Sequence, residues 1–213
     1  MNAANPEEEV VAELARAGVV PVTTVQNTDQ VHETCQALLR GGVSCIEIAF
    51  RSPAAAAALA QACEVEGMVV GAGTVLSPQQ AHAAAEAGAK FAVAPGTNDE
   101  VVRTCQQLGL PFFPGVATPS EIEHARALGL STVKVFPAST LGGTAFLRAV
   151  SATYPDVGFI PTGGISADNL GEYLAVPSVV ACGGSWLVKG QLLDEGRFDE
   201  VERLASEARA CVA

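Results

Sequence analysis

Three lysines occur in the chain, Lys90, Lys134 and Lys189, and Lys134 stands inside an apolar run. The segment Thr132-Val133-Lys134-Val135-Phe136-Pro137 alternates, with Val133 and Val135 on one face and Thr132, Lys134 and Phe136 on the other. If the valines face packed helices, Lys134 points into the interior. There the loss of hydration favours its neutral amine, the form that attacks a carbonyl carbon. If the faces are reversed, Lys134 snorkels outward and keeps its charge in water. Lys90 opens a strand run beside a loop and Lys189 lies in a glycine-flanked loop, settings that predict solvated side chains.

A carboxylate is placed in the same way. In Cys45-Ile46-Glu47-Ile48-Ala49-Phe50-Arg51 the residues Ile46, Ile48 and Phe50 form one face, and Glu47 shares the other with Cys45 and Ala49. An inward Glu beside an inward Lys is either a structural ion pair or the proton shuttle that imine chemistry needs. Arg51, at the end of that run, suits a bidentate grip on a carboxylate, or is a surface arginine with no role. Two glycine turns, Pro161-Thr162-Gly163-Gly164-Ile165-Ser166 and Cys182-Gly183-Gly184-Ser185-Trp186, follow the last two strand runs. Glycine pairs at such places let backbone N–H groups approach a phosphate, although tight turns need glycine in any case. Other chemistries lack their residues. His32, His82 and His124 fall within helical segments rather than at strand ends, so no histidine metal site is expected. Gly71-Ala72-Gly73-Thr74 lacks the third glycine of a dinucleotide loop, and no nucleophile elbow or P-loop occurs.

These side chains must be held by a repeating framework. Strand-like runs recur at Val19–Val22, Ser44–Phe50, Met68–Ala72, Phe91–Ala94, Phe112–Pro114, Thr132–Phe136, Gly158–Pro161 and Val179–Cys182. Their starts lie roughly two dozen residues apart, room for one strand, two loops and one helix. Helix starts are marked at Ser52-Pro53, Ser77-Pro78, Thr118-Pro119-Ser120-Glu121 and Ser166-Ala167-Asp168-Asn169, and helix ends at Gly41, Gly88, Gly109 and Gly129. A helix Pro6–Ala17 precedes the first strand, and Phe198–Ala210 supplies the last outer helix. Eight such βα units predict an α/β fold closed as a (β/α)8 TIM barrel with an additional N-terminal helix, a single domain over 1–213; a doubly wound open sheet is the alternative. In a barrel the functional groups sit at the C-terminal strand ends, and Glu47 and Lys134 converge from opposite strands.

Composition agrees with this reading. A formal net charge of −11 with twelve Lys and Arg opposes a nucleic-acid groove, so an anionic substrate needs a local positive site. Residues 1–10 are acidic and no run of about eighteen apolar residues occurs, which predicts a cytoplasmic protein with no signal peptide and no membrane partner. Cys35, Cys45, Cys63, Cys105, Cys182 and Cys211 form no CxxC pair and read as small buried hydrophobes.

Six motifs in order, Glu47-x-x-x-Arg51, Gly71-Ala72-Gly73-Thr74, Ala94-Pro95-Gly96, Lys134-Val135-Phe136-Pro137, Pro161-Thr162-Gly163-Gly164-Ile165 and Gly183-Gly184-Ser185-Trp186, closely resemble the 2-keto-3-deoxy-6-phosphogluconate / 4-hydroxy-2-oxoglutarate aldolase family. The likeness runs from about Val19 to Lys189. It implies a metal-independent, cofactor-free class I aldolase that releases pyruvate, built on a (β/α)8 barrel and assembled as a homotrimer. By the same resemblance Lys134 is the Schiff-base lysine and Glu47 the acid/base acting through a water. Arg51 and Thr74 match positions that hold the pyruvate carboxylate; Pro95, Phe136 and Thr162 match pocket-lining positions; Gly163, Gly164, Gly184 and Ser185 match phosphate-binding ones. The chain departs from the pattern at Ala49 and Ser52, where many members carry Thr. The residues leave open the C4 epimer, 2-keto-3-deoxy-6-phosphogalactonate, as substrate. They also leave a phosphosugar-binding barrel without catalysis, for which an intact Lys134 and Glu47 offer no reason.

Overall fold

The computed structural model describes residues 6–212, so the first five residues of the acidic N-terminal stretch lie outside the described residues. Helix α1 (Pro6–Ala17) leads into β1 (Val19–Thr23), and a single 3-10 turn, Thr28–Gln30, precedes α2 (Val31–Arg40). Strand and helix then alternate through β2 (Cys45–Ala49), α3 (Ala55–Cys63), β3 (Val69–Gly73), α4 (Pro78–Glu86), β4 (Phe91–Val93) and α5 (Asp99–Leu108). After β5 (Phe112–Phe113) and β6 (Gly115–Val116) come α6 (Pro119–Ala127), β7 (Thr132–Val135), α7 (Gly143–Thr153), β8 (Gly158–Pro161), α8 (Leu170–Leu174), β9 (Cys182–Gly184), α9 (Gly190–Asp194) and α10 (Phe198–Ala210).

All strand pairs are parallel and form two sheets among the described residues, a six-stranded one ordered β5-β4-β3-β2-β1-β9 and a three-stranded one ordered β6-β7-β8. The order is sequential, and the first strand pairs with the last. It shows none of the reversal that marks a doubly wound sheet. Two features depart from the expected ring of eight. The fifth run is divided at Pro114, whose nitrogen has no hydrogen to give to a ladder; its carbonyl still accepts from Lys134 N–H at 2.8 Å. The eighth run is shifted, because Val179 makes only an isolated bridge to Phe159 while the strand itself spans Cys182–Gly184. A second isolated bridge, Thr162 to Gly183, links the end of β8 to β9.

The helices cover the sheets with apolar faces. Leu38, Leu59, Ile122, Leu147 and Leu170 are fully buried among Ile46, Ile48 and Phe159 from the strands. Thr118 caps α6 and its partner Glu121 completes the capping box; Ser77 caps α4 through the Gln80 N–H. Two expected caps act differently. The Ser52 hydroxyl donates to the Val25 carbonyl while α3 starts only at Ala55, and α8 starts at Leu170 with Asn169, not Ser166, as the preceding residue. Gly41 closes α2 without a left-handed backbone. Its missing side chain matters instead for packing, since a Cβ would lie 2.5 Å from the Cβ of Ala205 on α10. No helix among the described residues is long and apolar enough to cross a membrane.

Candidate active site

Strands β2 and β7 bring the carboxylate and the lysine together. Alternation on β7 turns Val133 and Val135 toward the helices and Lys134 inward, and the same alternation on β2 does this for Glu47. Both are buried, at 6 % and 3 % exposure, and Lys134 Nζ donates to Glu47 Oε1 at 3.3 Å and Oε2 at 3.4 Å. Burying either charge alone would cost several kcal/mol, so the pair is a condition for either to be there. The Phe136 ring, two residues along the same face, has its centroid 6.0 Å from Nζ.

Space for Glu47 comes from glycine. A Cβ at Gly73 would stand 2.3 Å from Glu47 Oε1, so this position at the end of β3 must be bare for the carboxylate to occupy its place. The next residue, Thr74, is a non-glycine residue with positive φ, 57°. That uncommon backbone turns its hydroxyl toward β2, where Oγ1 accepts from Arg51 Nε at 3.2 Å. The two residues matched to a carboxylate-holding role thus form one unit at the neighbouring ends of β2 and β3.

A cavity of about 510 Å³ lies at the C-terminal strand ends, lined by Arg51, Phe136, Thr162, Gly163, Gly164, Gly184, Ser185 and Lys189 among others; Lys134, Glu47 and Thr74 are not among its lining residues, and Phe136 and Arg51 connect them to it. No Asp or Glu is among its lining residues. The backbone N–H groups of Gly164 and Ser185 donate to no acceptor among the described residues. The Thr162 hydroxyl is buried without a partner. Such a surface offers donors to an anion and asks for one.

The structure alters some expectations about these residues. Gly184 lies within β9, and a Cβ there would meet the Trp186 ring at 1.8 Å; its bareness accommodates the indole as well as any ligand. Pro95 is exposed and does not line the cavity; its carbonyl packs against Gly115, the residue in register with Lys134. Lys189 is exposed as expected, yet it faces the cavity, which sequence reasoning missed. The signal was available in its place, in the loop directly after the last strand. Thr23 and Thr24 at the end of β1 also line the cavity and were not singled out.

Cysteine and histidine complete the inventory. Cys35, Cys45, Cys105 and Cys182 are buried, and burial pushes their thiols up to about 12, whereas Cys63 is half-buried and Cys211 exposed, against the expectation that all six are core residues. His32, His82 and His124 lie on α2, α4 and α6, away from the strand ends, with His124 Nε2 at 2.6 Å from Asp99 Oδ1. No group of three or more His, Cys, Asp or Glu side chains suited to a metal is found among the described residues.

Residues 10–204 match the family model for KDPG and KHG aldolases. A 2-dehydro-3-deoxy-phosphogluconate aldolase of Treponema pallidum is 45 % identical over 195 residues, which cover 91 % of this chain and 93 % of that protein. Among solved structures, the 2-keto-3-deoxy-6-phosphogluconate aldolase of Zymomonas mobilis with 3-phosphoglycerate superposes with a TM-score of 0.90 at 34 % identity, covering 97 % of each chain. The KDPG aldolase of Legionella pneumophila, with pyruvate captured at low pH as a covalent carbinolamine intermediate, gives a TM-score of 0.90 at 34 % identity over 96 % of this chain and 98 % of that one.

Proposed function

The chain belongs to the KDPG and KHG aldolase family, and we propose that it cleaves 2-keto-3-deoxy-6-phosphogluconate to pyruvate and glyceraldehyde 3-phosphate, and 4-hydroxy-2-oxoglutarate to pyruvate and glyoxylate, through an imine on Lys134. It is a carbon–carbon lyase of the metal-independent class I kind. The observation that carries the residue assignment is the buried Lys134 amine 3.3 Å from Glu47 Oε1, with Phe136, whose ring centroid lies 6.0 Å from that amine, lining the cavity at the strand ends beside Arg51. The covalent carbinolamine in the Legionella relative supports the same bond type.

The chemistry follows from the parts. Lys134 reaches its nucleophilic state by passing a proton to Glu47, the acceptor already in contact with it. The free amine adds to the C2 ketone, Glu47 returns its proton to the carbinolamine hydroxyl, and water leaves to give an iminium and restore the carboxylate. That cation draws in the electron pair of the C3–C4 bond as it breaks. Glu47, through a water, takes the proton of the C4 hydroxyl, so that C4 leaves as an aldehyde, and returns a proton to C3 of the enamine. Hydrolysis of the remaining imine releases pyruvate and the lysine. Arg51 and Thr74 hold the C1 carboxylate. Phe136 and Thr162 bound the site, and Gly163, Gly164, Gly184 and Ser185 cradle the phosphate, whose binding holds the far end of the substrate while the bond breaks.

The same reading extends to the whole chain, residues 1–213 as one domain. The two sheets are two arcs of one (β/α)8 barrel: β5 and β6 count as one strand parted at Pro114, and the Thr162–Gly183 bridge supports closure at the other seam. The assembly is a homotrimer and the location cytoplasmic, both on the strength of the family.

Incubation with pyruvate and borohydride tests the central assignment. It is expected to inactivate the enzyme and to leave one reduced adduct, mapped by peptide mass to Lys134. An adduct at Lys90 or Lys189 overturns it. A pyruvate-release assay on the two C4-epimeric phosphates decides between the gluconate and galactonate series.

A further inference from the structure

We propose that Lys189 is a substrate-selecting residue whose ammonium group binds the terminal phosphate of the substrate. This rests on the aldolase reading and deepens it. Two cations, Arg51 and Lys189, line the cavity and no carboxylate does, in a chain whose net charge is −11. Arg51 donates from Nε to the Thr74 hydroxyl at the ends of β2 and β3, the end that the aldolase reading gives to the C1 carboxylate. Lys189 has no carboxylate partner among the described residues.

Its backbone, in contrast, is anchored. The Lys189 carbonyl accepts from Leu192 and Leu193 N–H at 2.9 and 3.3 Å, and the carbonyl of Val188 accepts from the Thr23 hydroxyl at 3.4 Å. A fixed root with an unpaired head at the rim of the cavity suits recognition rather than packing. The anion it would take is defined by its neighbours. Gly164 and Ser185, which line the same cavity, have backbone N–H groups without acceptors among the described residues, and Thr162 and Ser185 add hydroxyls, so the donors around Gly163 and Gly164 are neutral groups joined by one ammonium with three hydrogens. A phosphate monoester carries close to two negative charges near neutral pH and three acceptor oxygens. Amides alone leave that charge uncompensated; Lys189 supplies a positive one.

The test compares wild type with Lys189→Met and Lys189→Arg on 2-keto-3-deoxy-6-phosphogluconate and on 4-hydroxy-2-oxoglutarate, with inorganic phosphate as competing anion. Lys189→Met is expected to raise KM for the phosphorylated substrate roughly tenfold, with kcat held within about twofold. The inhibition constant of inorganic phosphate should rise in parallel, and the loss on 4-hydroxy-2-oxoglutarate should be several-fold smaller. Lys189→Arg, which keeps the charge, should recover most of the affinity. Equal losses on both substrates, or an unchanged KM and phosphate inhibition in Lys189→Met, overturn the proposal. Failure of wild type to turn over either substrate would instead defeat the aldolase reading itself.

Discussion

Removing one member of a buried ion pair strands the other, so the substitution that isolates the chemistry of Glu47 must keep its shape and its acceptor. Glu47→Gln meets both conditions: the amide oxygen can still accept from Lys134, whose Nζ lies 3.3 Å from Oε1. What it loses is the capacity to take and return a proton. We expect kcat to fall by roughly 10²- to 10⁴-fold while pyruvate is still trapped on Lys134 by borohydride. Steady-state rates beside mass-mapped trapping check this, and a variant with near-wild-type kcat would make Glu47 a structural residue. The buried thiols belong to the inert side of the residue inventory. With Cys35, Cys45, Cys105 and Cys182 pushed up to about 12 by burial, their thiols are neutral near pH 7.

At the scale of elements, the strands decide more than the helices. The N-caps at Ser77 and Thr118 were readable because the hydroxyl, the proline and the polar third residue are all local. At Ser52 the hydroxyl donates instead to the Val25 carbonyl, a partner distant in the chain, while at Ser166 the backbone N–H donates to the Asn169 side chain and the helix starts only at Leu170. On the strands, register does what no local pattern shows. Ala49 pairs with Gly73, which sets a bare backbone beside Glu47. Gly73→Ala would put a Cβ 2.3 Å from Oε1, and the carboxylate must shift. We expect the fold to survive, since one methyl group is added beside a side chain that can move, but kcat to drop by about tenfold or more through the displaced proton acceptor. Circular dichroism and kinetics separate the two effects. Full activity in Gly73→Ala would show that the placing of Glu47 tolerates the shift.

The whole molecule poses an electrostatic problem, a strongly acidic chain that must admit an acidic substrate. The answer lies in distribution: carboxylates are absent from the lining of the cavity and Arg51 and Lys189 are present. Long-range repulsion is screened beyond about 8 Å at physiological ionic strength, so the local lining governs the approach. Assembly is the other property at this scale. The proposed homotrimer predicts three times the 21.7 kDa chain mass in solution. Light scattering at micromolar concentration checks it, and a monomer mass would refute it.

By itself the sequence determined the βα periodicity, the parallel sheets and the inward direction of Lys134 and Glu47. Each of these rests on near-neighbour regularities, the two-residue alternation of strands and the local chemistry of caps. The identity of the pair as a contact was legible once opposite strands were placed around one interior. Other properties waited for the tertiary structure. Gly184 read as a bare backbone for phosphate, yet its nearest constraint is the Trp186 ring, a packing relation two residues away that no periodicity encodes. Pro95 read as pocket lining, yet its carbonyl meets Gly115 from another strand. Lys189 read as a solvated loop residue, and only the fold turns that loop over the cavity beside the turn of Gly163 and Gly164. Alternation tells which way a side chain points from its own strand. What it meets there is decided by residues far away in the chain, through register and closure that only the assembled sheets possess.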